Sequence, residues 1–338
     1  MAASPLANSP QTDPQRIALS RASMVPPRLN VGTRLAERSF YFVLLGCALS
    51  LLATVAFIVW ELTTNSQITL RQFGFHFFVG TNWDPVAGDF GAFPFVYGTL
   101  VSSLLALLLA VPLAVGVAVF TTEMCPRVLR GPISFCTELL AAIPSVIYGL
   151  WAIFVLVPAL RLYVDPFLEK RLGWTGLFAG PSYGIGMLAA GIILAIMIIP
   201  IISSITREIL VSVPQTQREA VLALGATRWE MIRMGVLRNA RAGIMGAIIL
   251  GLGRALGETI AVTMVIGNNP QIARSLLAPG YTMASVIANE FSEAADPTYL
   301  SALIEIGLAL FLVTIIVNAV AQLLVWAVTR GAPARANV

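Results

Sequence analysis

The stretch GLGRALGETIAVTMVIGN, Gly251 to Asn268, places Arg254 and Glu258 inside an otherwise apolar segment. A charge at the centre of a membrane-spanning helix costs about 2.5–3.5 kcal/mol on insertion scales, so such residues mark either a structural pair or a solute route. On one continuous helix the two side chains lie a turn apart on the same face. Gly253 and Gly257 form a G-x-x-x-G step beside them, flanked by Gly246 and Gly251. That spacing predicts close helix–helix contact, and the missing side chains also leave room for a small solute. Two readings stand. In one, Arg254 and Glu258 form a buried ion pair that cements two helices. In the other, Arg254 is the counter-charge for an anion, and Glu258 pairs with it when the site is empty. Arginine suits the second role, because its planar fork of donors matches tetrahedral oxyanions and stays protonated when desolvated. Thr259 and Thr263 continue the Arg254 face as further hydroxyl donors, although back-bonding to their own helix is the commoner use of such residues.

The elements that would position these groups follow from composition. The 338-residue chain is 57% hydrophobic and only 11% charged, against about 25% charged in soluble domains. Its mean hydropathy is +0.84. An integral membrane protein is expected, all-α, with six spans. The apolar stretches of about 20 residues that a bilayer needs are 40–62, 93–120, 133–160, 184–205, 242–267 and 300–328. The transmembrane domain then covers 39–330. Residues 1–38, rich in Ser, Pro, Ala and Arg, form a disordered tail, and 331–338 form a short C-terminal tail. Pro94, Pro112, Pro144 and Pro200 are expected to kink their helices.

Fifteen basic residues fall in the N-terminal tail, the second and fourth connections and the C-terminus, and five (Arg71, Arg161, Lys170, Arg171, Arg274) fall in the alternate ones. The positive-inside rule therefore puts both termini in the cytoplasm. Trp83, Trp174, Tyr183, Tyr281 and Tyr299 would sit in the outer loops as interfacial anchors. The three cysteines have no motif spacing and read as small core residues, with no disulfide or metal site implied. His76, the single histidine, has no nucleophile or metal partner at recognisable spacing. An intramembrane hydrolase is disfavoured on that ground, and no catalytic residue, metal, cofactor or nucleic-acid partner is expected.

The connection 206–241 is the most structured one. Pro214 can open a helix, Gln215 to Leu224 has helix-forming composition, and Gly225 provides a stop. Thr227 and Glu230 then fit a capping box for a second helix directed at the fifth span. On physics alone this is an amphipathic linker at the cytoplasmic surface. Its residues also carry a resemblance. Glu219-Ala220, Gly225-Ala226 and Val236-Leu237 resemble the EAA loop of ABC-importer permeases, with Val221 in place of the second alanine and Arg238 where proline is usual. The resemblance implies a type I ABC-importer permease fold whose coupling helix docks on an ATPase, with Glu219, Ala220, Gly225 and Ala226 at the contact. The only lysine, Lys170, precedes Arg171. No Walker loop is available here, so ATP hydrolysis would belong to a separate polypeptide.

Further motifs narrow the resemblance. GTNWDP (80–85), the segment 90–120, ELLAAIPSVIYGLWAIFVLVP (138–158), GRALGETIAVTMVIGN and ASVIANEF (284–291) resemble the C-type permeases of phosphate-specific ABC transporters over roughly 40–328. The resemblance implies inorganic phosphate as solute, with Arg254 and Glu258 associated with its translocation. It also implies a homologous A-type permease as heterodimer partner, two ATPase subunits and an extracytoplasmic phosphate-binding protein. The site expected along the route comprises Arg254, Glu258, Thr259, Gly253 and Gly257. The alternatives are an ABC permease for sulfate or molybdate, or an anion carrier or channel that needs no coupling loop. Glu138 reads as interfacial at the cytoplasmic end of span three, and the role of Glu305, a turn inside span six, stays open.

Overall fold

A computed structural model describes residues 31–329, with side-chain surroundings given for 37–327. Most of the expected N-terminal tail and all of 331–338 lie outside the described residues. The chain divides into two units, 1–59 and 60–338. The first contributes most of α1 (Val31–Asn65), and the short α2 (Gln67–Phe73) and α3 (His76–Val79) belong to the second. Helix α1 starts at Val31, so the stretch from Val31 to Arg38, expected as tail, is helical. Among the described residues six helices are long and apolar enough to cross a membrane. Cys47 and Cys136 are exposed and only Cys125 is buried, so the expectation of three core cysteines holds for one.

The second unit is built around two helices, α4 (Phe93–Met124) and α7 (Met187–Val211). Helix α4 turns Ala106, Ala110, Ala114 and Ala118 to one face at four-residue spacing, and all four are buried. Side chains that small let the helices approach closely. Ile193, Leu194, Ile198 and Ile202 of α7 fill one cluster with Ala106, Ala110 and Ala114. Helix α7 is the most enclosed span, with 67% of its apolar window buried. Its first free N–H groups are satisfied from outside the helix. Met187 and Leu188 donate to the carbonyls of Ala278 and Leu276.

The third and fifth spans depart from expectation. The segment expected at 133–160 is divided into α5 (Arg127–Ala142) and α6 (Ser145–Thr175). Proline disfavours helical geometry in the residue before it, and Ile143 is extended at ψ 128. Pro144 therefore breaks the helix instead of kinking it. Pro112 and Pro200, by contrast, lie inside α4 and α7. The fifth span, expected at 242–267, belongs to α9 (Arg228–Leu256), which stops at Gly257. Three residues after Leu256 are not helical, and the short α10 (Ile260–Thr263) follows them.

At the end of the bundle opposite α8 (Gln215–Ala223), the connections form an aromatic core. Strands β1 (Trp83–Asp84) and β2 (Asp89–Phe90) pair as a hairpin, Trp83 opposite Phe90. Trp83 packs edge-on against Phe90 and Phe95, and Phe90 stacks on Tyr299. Helices α11 (Met283–Glu290) and α12 (Pro297–Thr329) close this core. The Glu290 carboxylate accepts from Trp83 Nε1 at 2.9 Å and from the Tyr299 hydroxyl at 2.7 Å. Burial pushes the Tyr281 hydroxyl well above the usual tyrosine range, while Asn289 donates to its oxygen at 2.9 Å. Trp83, Tyr281 and Tyr299 are thus core residues and not the interfacial anchors expected. Trp174 and Tyr183 remain exposed.

Candidate functional site

Two groups of the residues singled out in the sequence lie at opposite ends of α9. From Arg228 to Arg254 that helix rises about 40 Å.

At its start, α8 is a nine-residue helix that follows Pro214. Gly225 has φ +80, a left-handed conformation that a side chain would strain. Thr227 and Glu230 form the capping box: Thr227 N donates to Glu230 Oε2 at 2.8 Å, and Glu230 N donates to Thr227 Oγ1 at 3.4 Å. A tight turn thus joins α8 to a helix that runs without a break into the fifth span. Glu219, Ala220 and Gly225 are exposed and Ala226 is half-buried. Around them Leu222, Leu224 and Trp229 are exposed too, Leu224 at 88%. So much apolar surface on a short polar connection suits a protein contact.

The opposite side of α8 is fixed by a residue that the sequence did not distinguish from the other arginines. Arg218 is buried. Its Nη2 donates to Glu123 Oε1 at 2.9 Å and to the Leu210 carbonyl at 2.8 Å. Its Nε reaches Glu123 Oε1 at 3.3 Å, and Nη1 donates to the Val213 carbonyl. Glu123 sits in the π-helical last turn of α4. In the sequence these partners are far apart, and Arg218 looked like one more topology-setting charge.

At the other end, Arg254 occupies the last turn of α9 and is exposed. Among the described residues it makes no hydrogen bond and no ion pair. A cation in the last turn of a helix gains roughly 0.3–1 kcal/mol from the macrodipole, well short of the ~2.5–3.5 kcal/mol insertion penalty. The remainder requires water, an anion or another protein at that face. The glycines beside it agree: a Cβ on Gly253 or Gly246 would meet nothing within 4 Å. Among the described residues the G-x-x-x-G step therefore does not pack against another helix, contrary to the spacing argument. Gly251 makes the close approach instead, where a Cβ would come within 2.7 Å of Ile202.

Glu258 does not pair with Arg254. The helix ends between them, and the carboxylate is buried, with Oε1 accepting from Ala261 N at 3.4 Å. Thr259 is half-buried, and its carbonyl accepts from Thr263 Oγ1 at 2.8 Å, so Thr263 back-bonds. Gly257 is exposed and accommodates the end of the helix. Glu138 pairs with Arg207 of α7 at 2.8 Å while remaining 60% exposed, the kind of ion pair that contributes little. Glu305 is fully buried, and among the described residues both its oxygens lack a hydrogen-bond partner. Among the described residues no cluster of three or more His, Cys, Asp or Glu could hold a metal ion.

Comparison with known proteins gives a consistent pattern. Residues 110–330 match the family model described as "Binding-protein-dependent transport system inner membrane component". A "Phosphate transport system permease protein PstC" of Mesorhizobium japonicum is 45% identical over 292 residues, covering 85% of this chain and 89% of the relative. The protein of that name from Xylella fastidiosa is 45% identical over 306 residues, covering 87% and 93%. "Phosphate transport system permease protein PstC 2" of Mycobacterium tuberculosis is 39% identical over 297 residues, covering 86% and 91%. A solved chain of the inward-facing MetNI methionine ABC transporter aligns at 19% identity and TM-score 0.46, covering 71% and 94%, a likeness too loose to bear on this chain.

Proposed function

The chain belongs to the family of binding-protein-dependent transport system inner membrane components, and from that premise we propose that it is the C-type permease subunit of an ATP-driven inorganic phosphate importer. It is a multi-pass inner-membrane protein and one subunit of an ABC transporter. In this reading both termini face the cytoplasm. A homologous A-type permease completes the pathway, two ATPase subunits drive it, and an extracytoplasmic binding protein delivers phosphate. The relatives' names supply the substrate.

The observation that carries the reading is Arg254, an exposed and unpaired cation in an apolar span, beside a glycine face with nothing on it. Such a charge is stable only where something polar meets it, and a phosphate oxyanion presents what its planar fork can bind. The partner permease would form the other wall of the route. Gly253 and Gly257 provide clearance there. Glu258 and Thr259 shape the chain where α9 ends, so the guanidinium stands at a helix terminus.

Glu219, Ala220, Gly225 and Ala226 carry the second half of the function. They lie on the outward side of the α8 turn, among exposed Leu222, Leu224 and Trp229. A motor subunit seated there would move α8 on ATP-driven closure and alternate access to Arg254.

Radiolabelled phosphate uptake in cells lacking this chain, restored by the cloned gene and challenged with excess sulfate, tests the proposal. Uptake should depend on the chain and resist sulfate. Uptake independent of the chain would overturn the reading, and full competition by sulfate would reassign the solute.

A further inference from the structure

Helix α8 is held from two sides. On one, Asn239 of α9 donates to Gln217 Oε1 at 2.9 Å and to the Gly235 carbonyl at 2.7 Å, and Gly235 lies against Val221. On the other, Arg218 binds the ends of two different spans at once. Its carboxylate partner Glu123 belongs to α4, and its carbonyl partners Leu210 and Val213 lie at the end of α7. The ion-pair side chains are 10% and 8% exposed, so water does not screen them. Arginine is the residue type for this task, since one rigid fork can serve a carboxylate and two carbonyls at a helix end together.

Adjacent helical positions point about 100° apart, so Arg218 faces into the bundle while its neighbour Glu219 faces out. The spans that Arg218 grips, α4 and α7, are the pair that forms the core. Helix α7 in turn presents Ile202 to Gly251, three residues before Arg254. A displacement of α8 has a stiff, buried connection to the core pair and no flexible loop between them.

Resting on the coupling-loop reading above, we propose that Arg218, gripping Glu123 and the end of α7, is the positioning residue that converts movement of α8 into movement of the spans. It touches neither solute nor nucleotide. Its loss should leave the motor attached and hydrolysing ATP while transport stops following hydrolysis.

The test uses the assembled transporter in membrane vesicles, with ATPase co-purification, ATP hydrolysis and phosphate uptake read on each variant. For Arg218→Gln the ATPase should stay bound and active, while phosphate moved per ATP falls about tenfold or more. Glu123→Gln keeps the shape of the partner and removes its charge, and should give a smaller fall of the same kind. Arg218→Lys should lie between, because one ammonium cannot span the carboxylate and both carbonyls. Unchanged phosphate per ATP in Arg218→Gln would overturn the inference. So would joint loss of ATPase binding and uptake in both Arg218→Gln and Glu123→Gln, which would make the contact purely structural. Glu219→Arg separates the underlying reading: it should release the ATPase, and a variant that keeps the ATPase and full uptake would sink the coupling loop itself.

Discussion

Arg254 and Glu258 are four residues apart in sequence but part company at Gly257: the arginine stands exposed and unpaired in the last turn of α9, while the glutamate folds back onto the Ala261 amide at 3.4 Å. The two charges therefore answer different questions. Arg254 needs something from outside the chain, and Glu258 turns to its own backbone.

Replacement of Arg254 should distinguish charge from geometry. A hydrogen bond to a charged group contributes about 1.5–3 kcal/mol, or roughly 10- to 100-fold. Arg254→Gln should lower phosphate uptake by at least that much while the complex still assembles, since no hydrogen bond or ion pair among the described residues is lost. Arg254→Lys retains the charge but not the fork, so it should keep part of the uptake. Uptake assays alongside purification of the complex read both effects. Full uptake by Arg254→Gln would remove this residue from the route.

Glu258 makes a backbone contact that an amide oxygen can also make. Glu258→Gln should transport at close to the normal rate, and Glu258→Ala should not, because it leaves the Ala261 amide without its acceptor at the restart of the chain. The same uptake assay decides. Equal loss in both variants would mean that the negative charge itself takes part.

The contrast between these residues shows what was legible in the sequence. The α8 turn was readable because Pro214, Gly225 and the Thr227–Glu230 box act within a few residues of themselves. The spans were readable from hydropathy, but their ends were not. Pro144 breaks its helix and Pro112 does not, a difference that residue type alone does not carry. The end of α9 at Leu256 separated a pair that a continuous helix would have joined. Arg218 and Glu123 were invisible because they stand 95 positions apart, and nothing in a row of arginines singles one out. Trp83, Tyr281 and Tyr299 resembled interfacial anchors until the fold brought Trp83 and Tyr299 onto Glu290 and Phe90, and Tyr281 onto Phe95 and Asn289.

The capping box gives a local test of how the coupling turn is built. Thr227→Ala removes the acceptor for Glu230 N, a change that costs about 1 kcal/mol in typical N-caps. Hydrogen exchange of the amides from Glu230 onward should quicken about fivefold at that cost, with little change in the transmembrane part of α9. Unchanged exchange would show that the turn is held by the α8 contacts instead.

Two glycines of one helix should respond in opposite ways to alanine. A Cβ on Gly98 would fall 2.0 Å from the Tyr281 carbonyl oxygen, a backbone atom that cannot swing aside. Gly98→Ala should therefore push α4 off the outer connections and cost about 1–3 kcal/mol or more. Gly116, further along α4, has nothing within 4 Å of its Cβ position. Gly116→Ala should be neutral or stabilising by about 0.5–1 kcal/mol through the helix preference of alanine. Thermal denaturation of the detergent-solubilised complex compares the two, and a tolerated Gly98→Ala would show that the approach of α4 to Tyr281 relaxes readily.

Glu305 provides the last test, because the fold gains nothing visible from it. Its neighbours satisfy one another: Thr69 Oγ1 donates to Ser301 Oγ at 2.7 Å, and Ser301 donates to the Asn65 carbonyl at 3.0 Å. The carboxylate one turn beyond Ser301 is left fully buried, with neither oxygen hydrogen-bonded among the described residues. A buried polar group without a partner destabilises by about 1–3 kcal/mol, and more if it is charged. Glu305→Gln keeps the shape and removes the ionisable group, so the complex should melt at a higher temperature. Glu305→Met, of similar volume and wholly apolar, should melt no lower than Glu305→Gln. If both variants melt below the unaltered complex, then Glu305 has a stabilising partner that this chain alone does not supply, and the partner permease is where to look for it.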